Sequence, residues 1–400
     1  MRLLLLLVLA TTTVASGQNF DWTGYVAARG INATGPDSWL DGGFGRLETG
    51  GDRDVFDGVA HLGVDWRPAS WLELHASGAA RDEQAGLIEA HATVRKEIGL
   101  GELQVRAGWF FLPTSKENKG DNWSSPYTIH FSTLNTWIGE EVRPMGADLQ
   151  FRHTTNAGHT ITGGATAFRG NDTMGTILGW RGWAIGDRLS PFGEILPLPP
   201  LRSLDDDGPF WKQRDDGTQP FGKDLDGRTG YSARLRFAVP GRGNVQYTYL
   251  DNAGDRELYG DQYSWQTRFH LLGAELGNPE TGFVIAAEHM SGDTYMGVGT
   301  PFVAAKFQST YFLASEKYGR NRWSARYELF STDDQDHSAA ENNDESGRAW
   351  TLTWLVDVIP HLRAGAEFTQ VTGDRAAAQQ YGFDPSTTGH SLALELRWQF

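Results

Sequence analysis

The chain predicts an all-β fold, a transmembrane antiparallel up-and-down β-barrel of sixteen strands, and three observations predict it. Segment after segment alternates apolar and polar residues with a period of two, the side-chain period of a strand. Tight turns and longer connections alternate along the chain, as they do when strands run up and down through a membrane. No run of eighteen apolar residues occurs, so no membrane-spanning helix is expected, and the composition (39% hydrophobic, 21% charged) is too polar for a helical membrane protein.

In chain order, residues 20–31 open with Phe20, Trp22, Tyr25 and Val26, an imperfectly alternating strand followed by a Gly-, Asp- and Pro-rich connection. Phe56, Ala60, Leu62, Val64 and Trp66 then share a face against Asp57, His61, Asp65 and Arg67. Leu72, Leu74, Ala76 and Ala80 oppose Glu73, His75, Ser77 and Arg81. Ile88, Ala90, Ala92 and Val94 oppose Glu89, His91, Thr93 and Arg95. Leu103, Val105, Ala107, Trp109 and Phe111 oppose Glu102, Gln104 and Arg106. After a long connection, 113–144, come Leu149 and Phe151 against Asp148, Gln150 and Arg152, then a glycine-rich strand, 161–168. The break at 170–227 is the longest, and a structureless stretch of that length fits an outer loop of a barrel better than a compact soluble domain.

Tyr231 to Val239 alternates with Ser232, Arg234 and Arg236, and Val245, Tyr247 and Tyr249 follow. Tyr263, Trp265, Thr267, Phe269 and Leu271 oppose Ser264, Gln266, Arg268 and His270. Strands at 282–290 and 302–316 precede Trp323, Ala325, Tyr327 and Leu329, which oppose Ser324, Arg326 and Glu328. Trp350, Leu352, Trp354 and Val356 oppose Thr351 and Thr353. Leu362, Ala364, Ala366 and Phe368 oppose Arg363, Glu367 and Thr369. A soluble sandwich would show the same two faces, but Greek-key crossovers give no reason for short and long connections to alternate. Trp66, Trp71, Trp109, Trp350, Trp354 and Trp398 fall near strand ends, as interfacial girdles require.

The last strand places Leu392, Leu394, Leu396, Trp398 and Phe400 on one face, with Ser391, Ala393, Glu395, Arg397 and Gln399 on the other. A terminal aromatic closing such a strand resembles the C-terminal strand of Gram-negative outer-membrane barrel proteins. The resemblance implies an outer-membrane location, lipid and lipopolysaccharide as surroundings, and Trp398 and Phe400 as the signal read by the barrel-assembly machinery. At the other end, Met1 and Arg2, the apolar run Leu3–Ala10 and the small residues Ala15-Ser16-Gly17 read as a signal peptide over residues 1–17, leaving residues 18–400 as a single barrel domain. There is no cysteine, hence no disulfide framework, and closure of a barrel would satisfy the backbone instead.

A sixteen-stranded barrel is wide enough for an aqueous channel. Its expected lining mixes signs: Arg81, Arg95, Arg106, Arg152, Arg234, Arg236, Arg268 and Arg326 with Glu73 and Glu89 among the acids. Cross-strand ion pairing and a transverse field acting on solutes are both compatible with that set. The third long connection, 113–144, is the expected constriction because general porins fold that loop inward. It carries Lys116, Glu117, Lys119, Asp121, Glu140, Glu141 and Arg143 beside Trp123, Tyr127, Phe131 and Trp137. A self-packed surface loop is the other reading. The run Arg106 to Pro113, with Trp137 to Arg152, resembles phosphate-selective porin O and P relatives; lysine is scarce here, so their specificity is not implied.

The resulting expectation is an outer-membrane porin passing small hydrophilic solutes or ions, without a cofactor and in a homotrimer, the alternative being a barrel plugged by its own loops. His61, His75 and His91 beside Asp57, Asp65, Glu73 and Glu89 admit a metal site or a catalytic group, but no GxSxG, HExxH or phosphate-cradling loop accompanies them, so an enzyme is not expected. The net charge of −15 excludes nucleic acid as a partner. The acidic runs at 205–207, 333–336 and 341–345 read as solvated loops or as divalent-cation sites that bridge lipopolysaccharide, and an acidic mouth implies weak cation preference.

Overall fold

Sixteen strands close into one antiparallel barrel in a computed structural model that describes residues 19–81, 84–278, 282–338 and 341–400; the predicted leader lies outside them. The barrel strands are β1 (Phe20–Thr34), β2 (Arg53–Ala69), β3 (Leu72–Arg81), β4 (Gln84–Ile98), β5 (Gly101–Trp109), β6 (Met145–Thr154), β7 (Thr160–Arg169), β8 (Gly230–Val239) and β9 (Gly243–Asp251). A two-residue ribbon, β10 (Leu258–Tyr259) with β11 (Gln262–Tyr263), lies in the next connection and was not anticipated. The barrel resumes with β12 (Trp265–Gly277), β13 (Phe283–Met296), β14 (Val303–Tyr318), β15 (Asn321–Asp334), β16 (Glu345–Ile359), β17 (Leu362–Arg375) and β18 (Ser386–Gln399). Each barrel strand pairs with the barrel strands before and after it in the chain, β9 pairing with β12 past the ribbon.

β18 closes on β1 from Tyr25↔Gln399 to Thr34↔His390. The seam continues one residue further: the N–H of each of Gly24 and Phe400 donates to the carbonyl of the other at 3.0 Å. Residue 24 must be glycine for this approach, since a Cβ there would collide with the His61 carbonyl and the Phe400 ring.

The predicted outward face is outward over most of the wall. Leu392, Leu394, Leu396 and Trp398 are exposed, while Ser391, Ala393, Glu395 and Arg397 are buried. Trp323, Leu329, Trp350 and Leu352 likewise lie outside, against buried Ser324, Arg326, Glu328, Thr351 and Thr353. Such an apolar exterior loses little against hydrocarbon and would be a liability in water. Phe20 on Trp66 and Trp323 on Trp354 stack at 5.6 and 5.7 Å, as interfacial aromatics do.

Three readings of the strands need correction, two of them because the interior is packed with chain rather than filled with water, and the third because a bulge shifts the register. In β12 the apolar set faces inward, with Trp265, Phe269 and Leu271 buried against the inner loops, so Arg268 and His270 lie on the outside. In β4 a bulge opposite Ser77 and Gly78 turns Ile88 inward into the core while Leu87 faces out. Trp109 is no girdle residue. It is buried edge-on against Phe192 and Phe221, both at 5.3 Å, and Phe111 stacks on Trp123 at 4.2 Å.

Candidate functional site

The third long connection does fold inside the barrel. Its helix α1 (Thr133–Glu141) has every residue buried and is started by Ser132, whose hydroxyl accepts from the Asn135 N–H at 3.3 Å. Trp137 is its anchor, edge-on to Trp183 (6.2 Å) and Phe269 (5.6 Å) and tilted against Phe307 (5.4 Å). Gly139 lets the helix lie close to Leu189 and Trp123, each 3.0–3.3 Å from where a Cβ would stand.

The connection 170–227 is also not simply an outer loop. Residues 171–185 are buried and carry a second helix, α2 (Thr176–Trp180), so two segments share the lumen. The carboxylate of Glu141 joins them, accepting from Trp137 Nε1 (2.7 Å) and from the Gly175 (3.0 Å) and Ile177 (3.1 Å) N–H groups. Burial nevertheless pushes its carboxyl up to about 7. Glu140 pairs with Arg181 at 2.7 Å. Arg143 donates to the carbonyls of Ser190 (2.8 Å), Gly139 (2.9 Å) and Ile88 (3.2 Å) and lies 4.2 Å over the Phe111 ring; burial pulls its guanidinium down to about 9. Gly182, at φ +79°, stands where any Cβ would strike Glu345, whose carboxylate accepts the Trp183 N–H at 2.8 Å.

Ion pairs lock these segments to the wall. Arg326, fully buried, reaches Glu328 (2.7 Å) and Glu117, and donates to the carbonyls of His130 (2.9 Å) and Phe131 (3.0 Å). Glu117 also accepts from the Ser132 N–H (2.9 Å) and Asn135 (3.0 Å). Glu367 accepts from the Ile129 and His130 N–H groups at 2.6 and 2.9 Å. Further round the wall, Asp187 of the second connection receives Arg29 (2.7 Å) and Arg81, and Arg29 reaches Glu395 at 2.9 Å. Arg29, Arg46, Glu48, Arg181 and Asp187 were missed in the sequence; the cluster Trp180-Arg181-Gly182-Trp183, aromatic within a connection, was the available signal.

The remaining predicted residues divide by position. Glu89 accepts the Phe111 N–H at 2.7 Å. Lys116 is buried with its ammonium 3.1 Å from Gln246 Oε1, and burial pulls it down to about 8. Lys119 pairs with Glu275, and Asp121 is exposed. Glu73 takes Arg67 (2.8 Å) and Arg95 (3.2 Å). Arg106 and Arg234 converge on Asp148 at 3.6 and 2.7 Å, and Arg152 faces Glu102 at 3.5 Å. Arg268 is outside, paired with Asp293 at 2.9 Å, and does not line the lumen.

At the short-turn end, Arg152, Arg234 and Arg236 with Gln150, Thr154, Thr160, Thr162 and Gln246 line a water-accessible vestibule of about 340 Å³ that reaches Pro113 of the inner loop. The histidines have structural partners: His61 stacks on Tyr25 (4.7 Å), His75 holds Asp65 (2.8 Å) and stacks on His91 (4.9 Å).

No protein-family model matches the chain, and no curated protein matches it. Among solved structures it is similar to the outer-membrane channel DcaP of Acinetobacter baumannii, at 13% identity over 95% of this chain and 97% of that one, with a TM-score of 0.57. It is similar to OmpF of Salmonella typhi, solved in complex with daunomycin, at 11% identity over 96% and 98% of the two chains, TM-score 0.54. An anion-selective porin from Comamonas acidovorans matches at 10% identity over 96% and 99%, TM-score 0.54. At these identities the likeness is one of fold, and the fold is that of the outer-membrane porins.

Proposed function

We propose that this chain is an outer-membrane porin that passes small hydrophilic anions by diffusion. The observation that carries this reading is the arginine-lined vestibule left beside the infolded loop of a closed, apolar-coated barrel. Acidic outer loops alone would favour cations, but preference is set where passage is narrow, and the vestibule there is lined by Arg236 and Arg152, with Arg234 buried behind them on Asp148. The anion-selective neighbour is compatible with this assignment. Phosphate specificity is not part of the proposal, since Lys116 is buried on Gln246 and Lys119 is paired with Glu275.

Planar-bilayer recording of the purified protein tests the reading. Small stepwise conductances with a reversal potential toward anions are expected, and Arg236→Glu should move that potential toward cations. Absence of steps would favour the second reading, a barrel plugged by its own loops, which the apolar packing of Trp137 and Trp183 inside the lumen supports.

A homotrimer belongs to the same proposal. β3 and β5–β9 are only 9 or 10 residues long, against 13–17 for β1, β2, β4 and β12–β18, and the β3–β5 face carries Ala76, Ala80, Ala85, Ala90, Ala92 and Ala107 between the larger Leu87, Val94 and Val105. A stretch of wall that includes such short strands suits contact with a second copy better than contact with acyl chains. The mass of the unheated, detergent-solubilised protein should be three times that of the chain, and a monomer mass would remove the assignment.

A further inference from the structure

The connection between β15 and β16 brings Asp334, Asp336 and Glu341 together. Each offers a carboxylate oxygen, and the three oxygens lie within 4.8 Å of one another. Asp334 and Glu341 are 5% and 1% exposed. Backbone N–H groups orient the two aspartates: those of Asp336 and His337 donate to Asp334 (3.1 Å each), those of Ser338 (2.9 Å) and Ala304 (2.7 Å) to Asp336. Asn343 donates its amide to Glu341 Oε2 at 2.5 Å.

What these bonds leave over is informative. Glu341 Oε1 is buried with no hydrogen-bond partner, and so is Asn343 Oδ1. None of the ion pairs among the described residues involves Asp334, Asp336 or Glu341. An uncompensated buried carboxylate is costly and must take up a proton or a cation.

A second acidic group provides the contrast. Asp172, Asp224 and Asp226 also converge, but Arg169 stands 4.0 Å from Asp224, and Leu225, Ser264 and Asp255 donate to the other two carboxylates. No buried oxygen there lacks a partner among the described residues, and no ligand is inferred.

We infer that Asp334, Asp336 and Glu341, with Asn343 beside them, hold a calcium ion that pins the β15–β16 connection to the barrel rim. An all-oxygen set with three carboxylates suits a hard divalent ion, and bond lengths of about 2.3–2.6 Å put ligand oxygens up to about 5 Å apart. Because Glu341 is buried, the ion is resident in the protein rather than a bridge to lipopolysaccharide. The assignment does not depend on whether solutes cross the barrel.

Calcium titration of the folded, chelator-treated protein in lipopolysaccharide-free detergent tests it, followed by calorimetry and by thermal unfolding. One saturable site per chain and a raised unfolding midpoint are expected. Glu341→Gln, which keeps the size and the contact to Asn343, should weaken binding by about tenfold or more, and Asp172→Asn should leave it unchanged. Absence of saturable binding to the wild-type protein would overturn the inference whatever the variants do. So would equal binding by Glu341→Gln, or loss of binding only in Asp172→Asn.

Discussion

Replacing Arg326 by alanine is expected to free the inner loop from the barrel wall. The guanidinium is fully buried between Glu117 of the loop and Glu328 of β15, and it donates to two loop carbonyls. Glu328 in turn accepts the Thr133 N–H at 2.7 Å, at the first turn of α1. Without the arginine, two carboxylates stay buried with no counter-charge, which costs roughly 3–5 kcal/mol. The barrel's own ladder does not depend on Arg326, so the loss falls on docking of the loop. Protease cleavage within 113–144 should rise sharply, and single-channel conductance should increase as the lumen opens. Arg268→Ala is the matched control. Its pair with Asp293 has similar geometry but lies on the outside, with the arginine side chain 49% exposed, and such a pair contributes about 0–1 kcal/mol. Equal behaviour of the two variants would show that the Arg326 network does not hold the loop.

That contrast also explains what could be read from the sequence. The sixteen barrel strands, their antiparallel order and the alternation of short and long connections followed from period-two patterning, because the pattern depends only on the difference between lipid and everything inside. For 113–144 the aromatics Trp123, Phe131 and Trp137 pointed to a packed rather than a solvated loop, and left open whether it packs on itself or inside the barrel. What failed was the assumption that inside means wet. In β12 both faces carry apolar residues, Phe269 and Leu271 toward α1, Leu272 and Leu276 toward the membrane, and alternation cannot choose between two apolar surroundings. The polar residues between them, Arg268 and His270, were therefore assigned to the wrong side. The inversion of Ile88 has a different origin, since a bulge shifts register by one residue and leaves no mark in composition. Arg29 was hidden by distance: its partners Asp187 and Glu395 lie 158 and 366 residues away.

Trp137→Ala should be the most damaging single truncation inside the barrel. The indole is fully buried among Trp183, Phe269 and Phe307, and its N–H holds Glu141, which in turn caps the backbone of the second inner segment at Gly175 and Ile177. Removing a buried tryptophan costs about 3–5 kcal/mol from lost apolar contact and the cavity left behind. Here Glu141 also loses one of its donors while remaining buried, so both segments should loosen together. Near-ultraviolet circular dichroism should lose intensity while the far-ultraviolet strand signal persists, because the wall is held by its own hydrogen bonds. Trp350→Ala removes the same side chain from the outer face, where it is 51% exposed. Its surroundings there are lipid or detergent before and after the change, no cavity forms, and the inner segments should stay packed. If the two variants lose equal near-ultraviolet signal and equal stability, the lumen is not the tightly filled interior described by the contacts of Trp137.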